Sequence, residues 1–191
     1  MMNRTLLSLL FCLFTTIASA QNGHLKFMGI PLDGTINEFS AKLAAKGCSV
    51  DEYLSQDHVG DRIFDGVFMG NRANIFVYYQ PTTQIVYRAV AVIKKEDEDI
   101  IKSLYEETKK LLNNKYIGFQ KTDSVLGHET WSLFVPRVPS DEEMIWNRCY
   151  GNISLGITKL KESYHTAYAL LINYTDQINY DKYQNAKQDD L

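Results

Sequence analysis

The chain has 191 residues, of which 45% are hydrophobic and 23% charged, with a net charge of −3. That length accommodates one domain, or two small halves sharing a core. The acidic balance, with no block of lysines or arginines, removes the electrostatic basis for nucleic-acid binding.

Residues 1–20 carry one early cation, Arg4, then the apolar run Leu6 to Ile17, then Ala18-Ser19-Ala20. This is the layout of a secretory signal peptide with a small-residue cleavage site. The apolar run is shorter than the ~20 residues a spanning helix needs, so cleavage and export to the periplasm or the medium are expected, with no transmembrane anchor afterwards. Cys12 lies inside the run and Gln21 follows Ala20, so lipid attachment at a cysteine is not indicated. Cleavage takes away one charge, Arg4, and moves the net charge to −4.

Two cysteines then remain, Cys48 and Cys149. An oxidising compartment permits a disulfide between them, which would constrain the unfolded chain by about 4 to 5 kcal/mol in the entropy model. Two buried thiols are the alternative. Neither cysteine has a second cysteine or histidine at ligand spacing, so no metal site is expected.

The mature chain begins with the apolar run Leu25, Phe27 and Met28, ended by Pro31 and Asp33-Gly34. Thr35 stands three residues before Glu38, the spacing of a capping box. Ile36, Phe39 and Leu43 then recur at helical spacing, and Gly47 supplies the left-handed stop. The spacing predicts a helix of about three turns, too short to stand without a partner surface.

That surface is expected from the next segment. Val50–Leu54 reads as a short strand and Gln56–Arg62 as a polar loop. Ile63–Met69 and Arg72–Tyr79 form a hairpin about Gly70-Asn71, and Ile85–Ile93 adds a further strand. In Arg72–Tyr79, alternation sets Ala73, Ile75, Val77 and Tyr79 on one face and Arg72, Asn74, Phe76 and Tyr78 on the other.

A second helix opens at the acids Glu96–Asp99, which suit the positive end of the helix dipole. Its inner stripe is Ile101, Leu104, Tyr105, Thr108, Leu111 and Leu112. Strands follow at Tyr116–Val125 and Glu129–Val135 about a Gly127-His128 turn, then Pro136–Glu143 as a loop. Met144–Thr158 reads as an extended segment broken at Gly151 and Gly156, and Tyr164–Tyr174 as the closing strand. The pattern is α+β: two helix-then-antiparallel-meander units, about 24–95 and 96–176, with the helices on one face of a curved antiparallel sheet. Residues 177–191 read as a polar C-terminal tail.

The signal peptide, FMGIPLDGTINEF and FDGVFMGNRANIFVYY together resemble small exported proteins of unknown function common in Bacteroides and related gut bacteria. The order of elements is similar to the fold of the beta-lactamase inhibitor protein, shared with small outer-membrane assembly lipoproteins. This chain departs from the lipoproteins in having no lipobox cysteine. The resemblance implies no catalytic residues.

No signature of catalysis stands out. His24, His58, His128 and His165 do not fall at metal-ligand spacings, and no nucleophile elbow or phosphate loop is present. No cofactor is expected. With 12 tyrosines against two tryptophans, the composition points to rings that cover apolar sheet surface while their hydroxyls stay wet. The expected function is therefore non-catalytic binding, with Tyr78, Tyr87, Trp131, Tyr164 and Tyr168 on an aromatic sheet face offered to a protein or glycan. The alternative is a small exported hydrolase using Cys149 or the Asp57/His58 pair, which requires those groups within hydrogen-bond reach of one another or of substrate.

Overall fold

The computed structural model describes residues 23–56, 59–125, 128–136, 149–161 and 166–189. The expected signal peptide, Asp57, His58, Tyr164, His165 and most of the predicted 136–143 loop lie outside the described residues.

The described chain enters as a small antiparallel hairpin, β1 (Lys26–Phe27) and β2 (Ile30–Pro31). Leu25, Phe27 and Leu32 are completely buried. Helix α1 (Ile36–Ala44) follows with the expected capping box: the Glu38 amide donates to Thr35 Oγ1 at 3.3 Å, and the Thr35 amide donates to Glu38 Oε2 at 2.9 Å. That bond from the Thr35 amide holds the Glu38 carboxyl below its usual pKa. Ile36, Phe39 and Leu43 face the core. The helix stops at Gly47, whose φ is +82°. The Cys48 amide reaches back to the Leu43 carbonyl at 3.1 Å and the Gly47 amide to the Ala44 carbonyl at 2.9 Å, the bond pair of a Schellman stop.

Next come β3 (Ser49–Val50), the single turn α2 (Glu52–Ser55), β4 (Asp61–Phe68), β5 (Asn71–Tyr79) and β6 (Val86–Lys95). Helix α3 (Glu98–Lys115) leads into β7 (Phe119–Val125), β8 (His128–Pro136), β9 (Cys149–Lys161) and β10 (Thr166–Asp176), and α4 (Gln177–Asp189) ends the described chain. Eight strands form one sheet in the order β3-β4-β5-β6-β10-β9-β8-β7, with every ladder antiparallel. The fold is α+β. Its core lies between one sheet face, the N-terminal hairpin, α1 and α3: Phe64, Ile75, Ala91, Leu170, Leu155 and Trp131 meet Phe39, Leu43, Ile101 and Leu104 there.

Three elements differ from the sequence reading. The strand expected over Val50–Leu54 is cut to two residues because the Asp51 carboxylate accepts the Leu54 amide at 2.9 Å, capping a helical turn instead. β9 runs unbroken through Gly151 and Gly156. Gly151 is needed for close approach, since a Cβ there would overlap the Thr175 carbonyl of β10. The tail is a helix from Gln177 to Asp189. It lacks an apolar stripe, which hid it from periodicity, and it is held instead by Asn179 and by Tyr180 and Tyr183 against Tyr87.

In α3 the Asp97 carboxylate caps the first turn by accepting the Asp99 and Ile100 amides. The helix therefore starts two residues inside the acidic run. Its predicted stripe is buried except for Leu111, which is 49% exposed.

Replacing Gly47 by valine tests the stop of α1. No atom lies within 4 Å of the site a Cβ would take, so the cost is backbone strain alone. Gly47→Val should destabilise the fold by about 1 to 2 kcal/mol in urea denaturation, and unchanged stability would show that the left-handed conformation contributes nothing.

Candidate functional site

Strand alternation places a second set of side chains on the sheet face turned away from α1 and α3. Pairing aligns them in rows across the central strands. One row runs Phe76, Val90, Asn173, Ser154, Ser132, and the next runs Tyr78, Arg88, Thr175, Asn152, Phe134. On β4 and β6, Ile63 and Val90 are buried on this face, while Phe76 and Val92 are half-buried. The β10, β9 and β8 side of both rows is mainly hydroxyl and carboxamide.

The boundary between these two parts is occupied by Arg88. Its Cζ lies 5.0 Å from the Tyr78 ring centroid, and its Nε donates to Asn173 Oδ1 at 2.7 Å. The Asn173 carboxamide nitrogen donates onward to Ser154 Oγ at 3.1 Å and to Thr175 Oγ1 at 3.4 Å. Among the described residues nothing accepts a hydrogen bond from the two terminal nitrogens of Arg88, which is half-buried. The guanidinium is thus oriented on one edge and one face, with its other edge unengaged by these neighbours.

The predicted aromatic residues do not share this surface. Tyr78 lies on it. Trp131 is 1% exposed in the core, where its indole nitrogen donates to Gln120 Oε1 at 3.2 Å. Tyr168 packs on the core side, beside Glu98 at the start of α3, with Lys159 Nζ 5.8 Å from its ring centroid. Tyr87 is the extra residue of a bulge, because Tyr78 pairs with Arg88 while Tyr79 pairs with Val86. It stacks on Tyr183 of α4 with centroids 4.7 Å apart, and burial pushes its hydroxyl pKa up to about 12. Tyr164 lies outside the described residues. Ring enrichment in the sequence therefore reflects core and helix packing as much as surface. The residues it missed are Arg88, Asn173, Asn152 and Ser154, and the available signal was a lone arginine in the apolar strand Val86-Tyr87-Arg88-Ala89-Val90.

A second polar cluster sits at the end of the sheet. Asp176 is wholly buried and accepts the Leu25 amide at 2.8 Å and the Asn179 amide at 3.0 Å, while His24 Nδ1 lies 3.1 Å from its carboxylate. Burial raises the Asp176 pKa, and the two amide bonds and His24 oppose the rise. Beside it is a cavity of roughly 380 Å³ bordered by His24, Asp33, Thr83, Asn179 and Lys182. The His–Asp pairing has the orientation used to set a histidine tautomer in catalysis. Through Asp176 the cluster ties His24 and Leu25 to the first turn of α4.

Cys48 and Cys149 are both buried and unbridged. Cys48 precedes β3 and Cys149 opens β9, five ladder steps apart in the sheet, or about 24 Å at ~4.8 Å per step. A disulfide needs Cα atoms within about 7 Å, so the bridge the sequence permitted is not made. Burial also raises the Cys48 thiol pKa. Cys149 is 5% exposed. No group of three potential metal ligands occurs among the described residues, and none of their helices is long and apolar enough to cross a membrane.

Two outcomes follow from these environments. Cys48 and Cys149 should both react with a thiol reagent in denaturant without prior reduction, and a reagent-resistant pair would contradict their separation. Tyr87 ionises later in the folded chain than in the unfolded one, so its contribution to stability is complete below about pH 10 and is lost as pH rises towards 12. Urea midpoints measured at about pH 9 and about pH 11 should therefore fall more for the parent than for Tyr87→Phe. No protein-family model, curated protein sequence or solved structure matches this chain.

Proposed function

We propose that this is an exported, non-catalytic binding protein, built as two helix–meander units, that offers the sheet face opposite α1 and α3 to a protein or glycan partner. The export reading rests on the N-terminal charge, apolar run and small-residue site. The two-unit reading is supported by chain order: α1 precedes β3 to β6, α3 precedes β7 to β10, and the last strand of each run, β6 and β10, meet in the middle of the sheet.

The observation that carries the binding reading is the oriented guanidinium of Arg88, set on Tyr78 and Asn173 among half-buried polar side chains. Tyrosine and arginine are the residue types that most often dominate recognition surfaces, because a rigid ring and a planar fork lose little entropy on contact. The hydrolase alternative has no comparable support, with Cys149 buried and Asp57 and His58 outside the described residues.

The test uses immobilised mature protein against a glycan array and envelope extract from the source cells. Retention seen with the parent should be lost with Ser154→Arg, which obstructs the face, and kept with Leu111→Arg, which alters the exposed side of α3. The reverse pattern would move the binding surface to the helices and overturn the reading.

A further inference from the structure

Resting on that reading of the face, we infer that Arg88 is its anion-reading centre and that the ligand is an acidic glycan, held by a uronate carboxylate on Arg88 and by its hydroxyls on the polar rows of β10, β9 and β8. The guanidinium is the part of the face prepared in advance. Its Nε is committed to Asn173 Oδ1 at 2.7 Å and one face to Tyr78 at 5.0 Å, which leaves the terminal nitrogens as a two-pronged donor edge. A carboxylate presents two oxygens in one plane and fits that edge with two parallel hydrogen bonds.

The charges around it support an anion. Among the described residues, the carboxylates placed on this face by strand pairing are Asp61, beyond Tyr78, Asp65, which is taken up by Asn74 Nδ2 at 2.8 Å, and Asp123 on β7, which pairs with Lys121 Nζ at 3.0 Å. No ion pair joins any of them to Arg88. Arg72 and Lys94 lie on the same face further along β5 and β6 and border a depression of roughly 260 Å³ with Asp65 and Asn74. In a chain of net charge −3, Arg88 is the cation at the centre of this face.

The ligand class follows from what surrounds the cation. Asn152, Asn173, Ser154, Thr175 and Ser132 occupy adjoining positions in the two rows. Serine and threonine are under-represented among protein–protein hot spots, and serine is depleted at such interfaces. They supply donors and acceptors in pairs, which is what a string of sugar hydroxyls requires. Tyr78 and Phe134 stand at the two ends of one row, four strand steps or about 19 Å apart. That span matches an oligosaccharide lying across the strands.

Calorimetric titration of the mature protein with oligogalacturonate, oligoguluronate and hyaluronan oligosaccharides provides the test, each beside its carboxyl-reduced neutral counterpart. At least one acidic ligand should bind, with affinity about tenfold or more above its neutral form and falling as salt is raised. Arg88→Gln should reduce that affinity by about tenfold or more, and Arg88→Lys by less. Asn173→Asp sets a carboxylate against Arg88 and should abolish binding while the melting temperature is retained, which separates loss of recognition from loss of fold. Binding that survives Arg88→Gln, equal affinity for neutral and acidic forms, or failure of all three uronates would overturn the inference. Arg88-dependent binding of polyglutamate without uronate binding would assign the face to an acidic protein instead. Failure of the uronates with retention still sensitive to Ser154→Arg would leave the binding face intact and reject only its acidic-glycan ligand.

Discussion

The β6–β10 ladder is the contact on which the rest of the sheet depends. It joins the run β3 to β6 to the run β7 to β10 through eight residue pairs, from Tyr168 against Lys95 to Thr175 against Arg88. The other ladders are local meander turns or short returns, but this one brings together residues such as Arg88 and Asn173 that are 85 positions apart. Closing so long a loop costs entropy before any contact is gained. The return comes from burial on both faces, with Ala89, Ala91, Ile93, Leu170 and Ile172 towards the helices and Val90 and Ala169 on the other side. A sheet of eight strands also exceeds what either four-strand run could offer the helices, so α1 and α3 share one core.

The end of that ladder is where the first and last described segments are fastened. Asp176 closes β10 and accepts amides from Leu25, 151 residues earlier, and from Asn179 in the first turn of α4. Asn179 then donates to the Leu32 and Val86 carbonyls at 2.7 and 3.2 Å. One buried carboxylate and one buried carboxamide thus satisfy backbone groups from the N-terminal segment, β6 and α4 together. Burial opposes ionisation of Asp176, and the donors around it offset part of that cost. The arrangement explains why α4 is ordered without an apolar stripe: its anchor is polar and its aromatic contacts to Tyr87 are supplementary.

Much of the architecture was legible because it is written in local patterns. The Thr35–Glu38 box, the Gly47 stop, the β4–β5 hairpin, whose turn falls at Met69-Gly70 one residue before the expected Gly70-Asn71, and the α3 stripe each depend on residues within a few positions of one another. What escaped depends on partners distant in sequence. Gly151 reads as a break in isolation, and only the Thr175 carbonyl beside it shows that its missing side chain lets β9 and β10 approach. The tail reads as loose because Asn179 has no visible partner until Leu32 and Val86 are placed beside it. The aromatic face failed for a related reason. Alternation tells which residues of one strand share a face, but pairing and the bulge at Tyr87 decide how Tyr78, Trp131 and Tyr168 are distributed over the whole sheet.

Arg88 shows how the same pairing makes a feature that no single strand encodes. In β6 it is a cation among valines and alanines, an arrangement that adds nothing to a hydrophobic core. Across the sheet its guanidinium gains Tyr78 against one face and Asn173 against one edge, so a half-buried charged group is held in a fixed orientation. A folded chain could accommodate this position with a valine or threonine at lower desolvation cost. Asn173 strengthens the point, because its carboxamide oxygen orients Arg88 without neutralising it, whereas an aspartate in the same place would complete an ion pair. Neutral support leaves the cation's outer edge unengaged by its sheet neighbours, which is the arrangement that the proposed recognition of an anion requires.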